Sequence, residues 1–483
     1  MVFSSLTFLF VFLPGVLLAY ALVPASWRNA LLLAASLIFY AWGGGFFVVL
    51  LLVSTVVDYV AGRCVLRGHR QSSRAWVRGG VALSLAVNLG LLAYFKYAGF
   101  IATQIHGLTA SLGWFPSMET TAWTSIVLPI GISFYTFQSM SYTIDLAQGR
   151  ARPVERLLDF ALYVSLFPQL IAGPIVRYHE LSEQLRHHPQ SRSLFAEGVV
   201  RFSHGLVKKI VIADAAGAVA DAVFALPAVE LTMAAAWLGV AAYTVQIYFD
   251  FSGYSDMAIG LAAMFGFRLP ENFRRPYSAL SITDFWRRWH MSLSRFFRDY
   301  LYIPLGGSRH GQWLTARNLW IVFLLVGLWH GAAWPMVLWG AYHGLLLSIE
   351  RLSGQRPVEG DDVGWRFFRR SLVALLVLLG WVLFRAESLT QAMHFYAAMV
   401  GFGVADGALA AEVKQVLTNR HMLLLSLGLA AHFLPGHFVA GRWLLGAGRR
   451  PRLARLALLL VALPYALILA ASGSFSPFLY FQF

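Results

Sequence analysis

Long uncharged hydrophobic runs, separated by short basic segments, dominate the chain. The longest cover residues 1–23, 120–144, 160–176, 231–249, 318–349 and 456–483. A helix needs about 20 apolar residues to cross a bilayer, and shorter runs are typical of re-entrant or buried segments. We therefore expect an all-α polytopic membrane protein, an irregular bundle of about a dozen or more transmembrane and re-entrant helices.

The charges near these runs predict a topology. Residues 1–27 contain no charged side chain, whereas a cleavable signal peptide starts with a basic region, so 1–23 is expected to be a retained first span. Two acid-free arginine clusters, at 63–78 and 442–455, are expected on the cytoplasmic side. No charge follows Arg455, which predicts one last span and a C-terminus outside the cytoplasm.

Composition excludes several classes of protein. Only 13% of the residues are charged and 58% are hydrophobic, whereas a soluble domain averages about 25% charged residues. Cys64 is the only cysteine, so neither an intramolecular disulfide nor a multi-cysteine metal site can form. The net charge of +15 fits arginines at the cytoplasmic ends of membrane helices and does not indicate nucleic-acid binding.

One basic segment, residues 268–317, holds nine arginines and three acids. Aromatic, basic and apolar residues alternate within it at helical spacing, which is typical of an amphipathic helix lying in the membrane interface. The alternative is a cytoplasmic mouth that attracts an anionic substrate.

A histidine lies in the middle of the longest uncharged run. His330 is followed by Gly331 and Pro335, where we expect the helix to break. Ionisable groups at membrane depth usually face a bundle interior or a cavity, and imidazole suits general acid or base catalysis near neutral pH. The alternative is a histidine that is only part of the core, and His343 has the weaker claim to function. Because we find no Gly-x-Ser-x-Gly, zinc or nucleotide-binding motif, any chemistry should use an activated donor.

Five motifs occur in an order that resembles the membrane-bound O-acyltransferase family. They are Leu-Pro-Ile-Gly-Ile-Ser-Phe-Tyr at 128–135, Phe-Pro-Gln-Leu-Ile-Ala-Gly-Pro at 167–174, Tyr-Phe-Asp-Phe-Ser-Gly-Tyr-Ser-Asp at 248–256, Phe-Trp-Arg-Arg-Trp-His at 285–290 and Gly-Leu-Trp-His-Gly at 327–331. The chain looks most like the family's alginate O-acetyltransferase branch, and the teichoic acid D-alanylation transporter is a more distant relative.

The resemblance implies a fold and a donor. The fold would be a funnel of helices with a thin centre, with residues 1–455 as the core and 456–483 as the last span and tail. Acetyl-CoA would approach from the cytoplasm and meet Arg287, Arg288 and Arg295 through its phosphates. His330 would act as the general base and His290 would be the second core histidine. A thioester needs no metal, and we expect neither a metal nor a tightly bound cofactor.

The C-terminal tail resembles a motif by which a small helper protein presents a tyrosine to the teichoic acid system. By that resemblance Tyr480 would accept the acetyl group beside His330 and pass it to an external transferase. The alternative is an aromatic tail that anchors at the membrane interface.

Other motif residues admit two interpretations. Asp250, Ser252 and Asp256 either line the donor cavity or cap helices, and capping is the commoner use. Lys208 and Lys209 are expected to be cytoplasmic interface anchors that can touch the donor's phosphates.

Two functions remain open. The first is an acetyltransferase of the bacterial inner membrane that acts with a periplasmic or membrane-anchored polysaccharide acetyltransferase partner. Alginate would be the favoured acceptor, ahead of cellulose or peptidoglycan. The second is a transporter or flippase without acyl chemistry, in which His330 is a gating or proton-relay group.

Overall fold

The computed structural model describes residues 1–112, 123, 125–188, 190–354, 363–403, 407–434, 438–473 and 478–479. Every regular element in these ranges is helical, and none of them contains a β-strand. The predicted all-α class is therefore confirmed. The backbone groups of a helix are satisfied within the helix itself, which suits a hydrocarbon environment.

The α-helices are numbered in chain order. They are α1 Leu13–Leu22, α2 Arg28–Gly44, α3 Phe47–Arg70, α4 Arg74–Leu92, α5 Ala98–Ser111, α6 Ile132–Ala147, α7 Leu157–Ser165, α8 Phe167–Leu170, α9 Tyr178–Arg186, α10 Arg192–Val207, α11 Asp214–Phe224, α12 Met233–Met264, α13 Ile282–Trp286, α14 Met291–Phe297, α15 Gln312–His330, α16 Trp334–Leu352, α17 Val363–Arg385, α18 Leu389–Met399, α19 Ala411–Val416, α20 Asn419–Phe433, α21 Ala440–Leu444, α22 Arg449–Ala457 and α23 Leu463–Ala471. Wider π-helical turns extend several of them, at Phe8–Phe12, Ala93–Tyr97, Lys208–Ala213, Arg298–Tyr302 and Leu458–Ala462. Short 3₁₀ turns lie at Ala25–Trp27, Ala228–Glu230 and Pro276–Ser278.

The chain forms two compact units. The first contains residues 1–198 and 258–270, and the second contains 199–257 and 271–483. The predicted division at residue 455 stays a prediction.

Helices α3, α4 and α6 of the first unit pack around a buried carboxylate. Asp58 accepts hydrogen bonds from Asn88 Nδ2 (2.8 and 3.0 Å) and from Ser84 Oγ, and Thr143 Oγ1 donates to Ser84 Oγ (2.9 Å). All four side chains are fully buried. Polar side chains commonly join helices in this way inside apolar bundles.

Helices α15 and α16 of the second unit form a tight hairpin. A Cβ atom at Gly327 would collide with the carbonyl oxygen of Met336, and one at Gly340 would collide with that of Phe323. Small residues allow helix backbones to approach closely, and here they set the position of the α15 C-terminus. The helix break predicted near Gly331 and Pro335 is confirmed, because α15 ends at His330 and α16 begins at Trp334.

Four helical stretches in the described ranges are long and apolar enough to cross a membrane. They are Phe47–Arg70, Arg74–Ser111, Val363–Arg385 and Arg449–Ala471. The run predicted as a first span forms the shorter apolar helix Phe8–Leu22. The count of about a dozen membrane and re-entrant helices stays a prediction.

Two local breaks interrupt the uncharged and amphipathic runs, and the second contradicts a prediction. The uncharged run 160–176 contains a helix end: α7 ends at Ser165, Leu166 leaves helical geometry (φ −51°, ψ 110°), and the single turn of α8 begins at Phe167 with Pro168 in its first turn. The segment after residue 281 is not one amphipathic helix, because it divides into α13, α14 and the turn Arg298–Tyr302. The break falls at His290, whose backbone is left-handed.

Candidate active site around two histidines

His330 is the last residue of α15 and lies among aromatic rings. Its ring is 4.9 Å from Trp329, 5.2 Å from Trp339 and 5.0 Å from Phe384 between centroids, each at a steep angle. The helix stops here because Gly331 is extended (φ −165°, ψ 145°). The side chain is 2% exposed, so this imidazole is enclosed mainly by aromatic surfaces.

His290 reaches its position through an unusual backbone. Its φ of +42° and ψ of +54° are left-handed, a conformation that non-glycine residues seldom adopt although histidine does so more often than most. Two neighbouring hydrogen bonds hold the turn, from Met291 N to the Asn272 carbonyl (2.9 Å) and from Arg274 N to the Arg288 carbonyl (2.9 Å). The fully buried imidazole is therefore placed by the segment 272–274, which precedes it in the chain.

Asn272 sets the tautomer of His290. Its Oδ1 accepts from the backbone N–H of Ser292 (3.2 Å) and from Ser292 Oγ (2.9 Å), while its Nδ2 donates to Ser255 Oγ (3.1 Å). The amide orientation follows from these donors, so His290 Nδ1, 3.2 Å from the same Oδ1, must be the protonated nitrogen. In the neutral ring, Nε2 is then the nitrogen that accepts a proton or a hydrogen bond.

The structure brings the two predicted histidines to one aromatic ring. Trp329 lies 6.0 Å from the His290 ring and 4.9 Å from the His330 ring. Forty residues separate the two histidines in the chain, and the hairpin end of α15 and the turn at 290 bring them together.

Two residues of the C-terminal segment lie in the same neighbourhood. Phe478 is fully buried, stacks on Tyr254 (4.5 Å) and contacts Phe251 (5.9 Å). The Phe251 ring in turn meets the His290 ring edge-on at 4.7 Å. Tyr480, the predicted acetyl carrier, lies outside the described residues.

Asp250 joins this segment to an ion pair. Its Oδ1 is 2.8 Å from Lys209 Nζ, and its Oδ2 accepts a hydrogen bond from the backbone N–H of Leu479 (2.9 Å). Lys209 also pairs with Asp214 at 2.6 Å.

Asp256 is held in a second ion-pair cluster. It accepts from Arg201 Nε (2.8 Å) and Lys208 Nζ (2.9 Å), and Arg201 also pairs with both carboxylate oxygens of Glu271. Helices α10 and α12 approach closely at Gly205 and Gly253, where Cβ atoms would crowd the opposite backbone. This approach brings the charges of one helix against those of the other.

These clusters correct two predictions. Asp250, Ser252 and Asp256 lie in the interior of α12, so none of them caps a helix. Lys208 and Lys209 are buried and ion-paired, so they are not interface anchors. The sequence could not show the pairs of Lys208 with Asp256 and of Lys209 with Asp250, because charge partners on separate helices leave no local pattern.

The predicted donor-binding arginines have unequal surroundings. Arg287 is exposed, Arg295 is half-buried, and Arg288 is half-buried with Nε 2.8 Å from Asp284. Asp250, which was also predicted to line the donor cavity, does not pair with these arginines. It contacts Lys209 and the backbone of the C-terminal segment.

Sequence reasoning missed Asn272, Ser292 and Phe251. The signal that was available for Asn272 is its place in an irregular polar stretch directly before the aromatic and arginine motif. His343 has a structural explanation, because its Nδ1 accepts the indole N–H of Trp286 at 3.3 Å.

Comparison with known proteins identifies the class. The sequence profile of the family described as MBOAT, membrane-bound O-acyltransferase, matches residues 155–389. The probable alginate O-acetylase AlgI of Azotobacter vinelandii is 45% identical over the full length of both chains. A peptidoglycan O-acetyltransferase of Helicobacter pylori is 37% identical over 88% of this chain and 85% of its own.

The chain belongs to the membrane-bound O-acyltransferase family. It is an integral membrane protein and an O-acyltransferase. The more distant resemblance is confirmed by a teichoic acid D-alanyltransferase of Bacillus subtilis, 31% identical over 45% of this chain and 58% of its own.

Proposed function

We propose that the protein moves acetyl from cytoplasmic acetyl-CoA for the O-acetylation of an exopolysaccharide, with alginate as the favoured acceptor. The names of the full-length relatives support acetylation of alginate, and that of the Helicobacter pylori relative supports acetylation of an envelope polymer in general. The protein would lie in the bacterial inner membrane with its C-terminus outside.

His330 is the general base of this proposal. It would take the proton from an attacking hydroxyl as the oxygen bonds to the thioester carbonyl carbon. Collapse of the tetrahedral intermediate breaks the carbon–sulfur bond, and the proton passes to the departing thiolate to give coenzyme A. A positioned base contributes about 10²- to 10⁴-fold.

His290 complements this base. Because Nδ1 donates to Asn272, Nε2 of the neutral ring accepts and does not donate. His290 would therefore accept the hydrogen bond of the hydroxyl as it enters the site, and the hydroxyl would turn this single proton to His330 before its transfer. The enclosing rings of Trp329, Trp339 and Phe384 exclude water that would hydrolyse the thioester.

Tyr480 is the proposed nucleophile and acetyl carrier. The observation that carries this step is the burial of Phe478 against Phe251, which itself contacts His290. Tyr480 follows Phe478 by only two residues, so a tail anchored in the interface by all its aromatic residues is the weaker interpretation. An aryl ester is more reactive than an alkyl ester, so a phenol suits a carrier that must release acetyl again.

The donor and the final acceptor would be bound at different places. The phosphates of acetyl-CoA would meet Arg287, Arg288 and Arg295, which carry positive charge in the segment between α13 and the end of α14. An extracytoplasmic polysaccharide acetyltransferase, in the periplasm or anchored in the membrane, would take acetyl from Tyr480 and make the polymer ester.

Incubation of the purified protein with acetyl-labelled acetyl-CoA, followed by intact and peptide mass spectrometry, tests this function. We expect one acetyl group on the C-terminal peptide of the wild type and none on His330→Ala or Tyr480→Phe. Tyr465→Phe, which alters an exposed tyrosine on α23, is the matched control and should load normally.

Other outcomes contradict specific parts of the proposal. Release of coenzyme A with Tyr480 unmodified would retain the transferase and remove the carrier. Absence of donor consumption, even with envelope extract, would favour a transporter without acyl chemistry.

A further inference from the structure

One hydrogen bond in the second unit, which the proposed mechanism does not use, joins a buried carboxylate to the main chain of the C-terminal segment. Asp250 is 1% exposed, and both of its oxygens are engaged, Oδ1 by Lys209 and Oδ2 by the N–H of Leu479. A buried carboxylate carries the wrong charge for the phosphates of acetyl-CoA. Its contacts point instead to a peptide ligand.

We propose that Asp250, neutralised by Lys209, is the docking site for the backbone of the C-terminal segment. This makes Asp250 a positioning residue for the acetyl carrier, and this part rests on the proposed function of Tyr480. Hydrogen bonds to a charged acceptor are stronger than neutral ones, and a contact to the N–H selects the chain's register and not the side chain of residue 479.

A second anchor lies one residue earlier. Phe478 stacks on Tyr254 at 4.5 Å with the rings 26° apart. Tyr254 lies four residues after Asp250 on α12, so one face of this helix holds both contacts. Two anchors on successive residues define the direction of the segment as well as its place.

The anchors restrict the carrier. Consecutive Cα atoms are about 3.8 Å apart across a trans peptide, so holding Leu479 limits the space that the next residue can reach. Phe251, adjacent to Asp250 in the chain, contacts both Phe478 and His290. Asp250 and the residue that contacts His290 therefore lie on the same turn of α12.

Leu479→Pro and Asp250→Asn test the docking. The proline removes the N–H donor and leaves the Asp250–Lys209 pair in place, whereas Leu479→Ala keeps the donor. Two quantities are measured: acetylation of the C-terminal peptide at varied acetyl-CoA, and the rate at which carboxypeptidase Y trims past residue 479, followed by intact mass.

We expect Leu479→Pro and Asp250→Asn to lower the maximal rate of tail acetylation about tenfold to a hundredfold, the fold-change of one charged hydrogen bond. The KM for acetyl-CoA should change less than about twofold, since the donor is bound elsewhere. Trimming of the Asp250→Asn tail should accelerate at least about tenfold. Trimming is not compared in Leu479→Pro, because cleavage directly after a proline is slow for the carboxypeptidase itself. Leu479→Ala should lose no more than about threefold, from its side-chain packing.

Asp214→Asn is the matched control, because Asp214 shares Lys209 but does not contact the segment in the described residues. An equal effect of Asp214→Asn, or a normal rate of tail acetylation in Leu479→Pro, would overturn the docking site. A raised KM in Asp250→Asn with unchanged trimming would return this residue to donor binding. Faster trimming together with a fully active Tyr480→Phe protein would retain the docking and remove the carrier.

Discussion

Two buried polar regions of this protein resemble each other in composition and differ in construction. Around Asp58 in the first unit, three regular helices contribute serine, threonine and asparagine. These side chains donate hydrogen bonds to Asp58 or to one another. Around His290 and His330 in the second unit, the polar groups lie at a helix end, at a left-handed residue and against a C-terminal segment.

This difference distinguishes buried polar side chains that join helices from those that take part in catalysis. Ionisable residues inside membrane helices are functional candidates by default, yet Asp58 has an arrangement that only joins helices. A catalytic group needs access to a substrate, and irregular backbone inside a membrane protein is tolerated where it lines a cavity or is buried in protein. The two regions should therefore respond differently to substitution.

The largest contrast is expected at His330. His330→Ala should lower acetyl transfer by about 10²- to 10⁴-fold, because the base is lost, with little change in thermal unfolding. His343→Asn is the control, since its side-chain oxygen can still accept from the Trp286 indole. Radiolabelled acetyl transfer from acetyl-CoA measures both, and an active His330→Ala protein would remove His330 from the mechanism.

A smaller effect is expected at Asn272. Asn272→Ala removes the acceptor that orients His290, and a hydrogen bond of about 1 to 1.5 kcal/mol corresponds to roughly a tenfold lower kcat. The KM for acetyl-CoA should stay unchanged. Ser255→Ala removes only the partner of the Asn272 Nδ2 group, and a loss as large as that of Asn272→Ala would argue against the orienting role.

The three predicted donor-binding arginines should affect the binding of acetyl-CoA and not the rate of the chemical step. Arg287→Ala, Arg288→Ala and Arg295→Ala are each expected to raise the KM for acetyl-CoA about two- to fivefold, an effect that declines with added salt. Arg298→Ala serves as the control, because Arg298 is exposed and pairs with the neighbouring Asp299 at 2.7 Å. Steady-state kinetics at two salt concentrations distinguish the variants, and an unchanged KM in all four would exclude this donor site.

The smallest effect on activity is expected in the first unit. Asp58→Asn places an amide donor against that of Asn88 and should lower the free energy of unfolding by about 1–3 kcal/mol. Acetyl transfer should stay within about twofold. Thermal unfolding in detergent and the transfer assay give the two values. A large loss of activity with unchanged stability would show that the Asp58 region is more than a structural joint.

The pattern of hydrophobic and polar residues along the chain predicted the helical class and one of the two site histidines. Helical class, membrane character and the break after His330 follow from hydrophobic runs and from glycine and proline, because these signals act within a few residues. The candidacy of His330 followed from the same pattern, since an ionisable group in a long uncharged run is costly.

Other features depended on the tertiary structure. Asp250 and Asp256 meet Lys209 and Lys208 because glycines let α10 and α12 approach closely, a relation between residues more than 40 positions apart. Asn272 orients the His290 ring through a hydrogen bond at a left-handed turn, where the sequence periodicity had predicted a continuous helix. Hydropathy reports where a chain is buried, whereas the partners of a buried polar group are decided by which helices pack together.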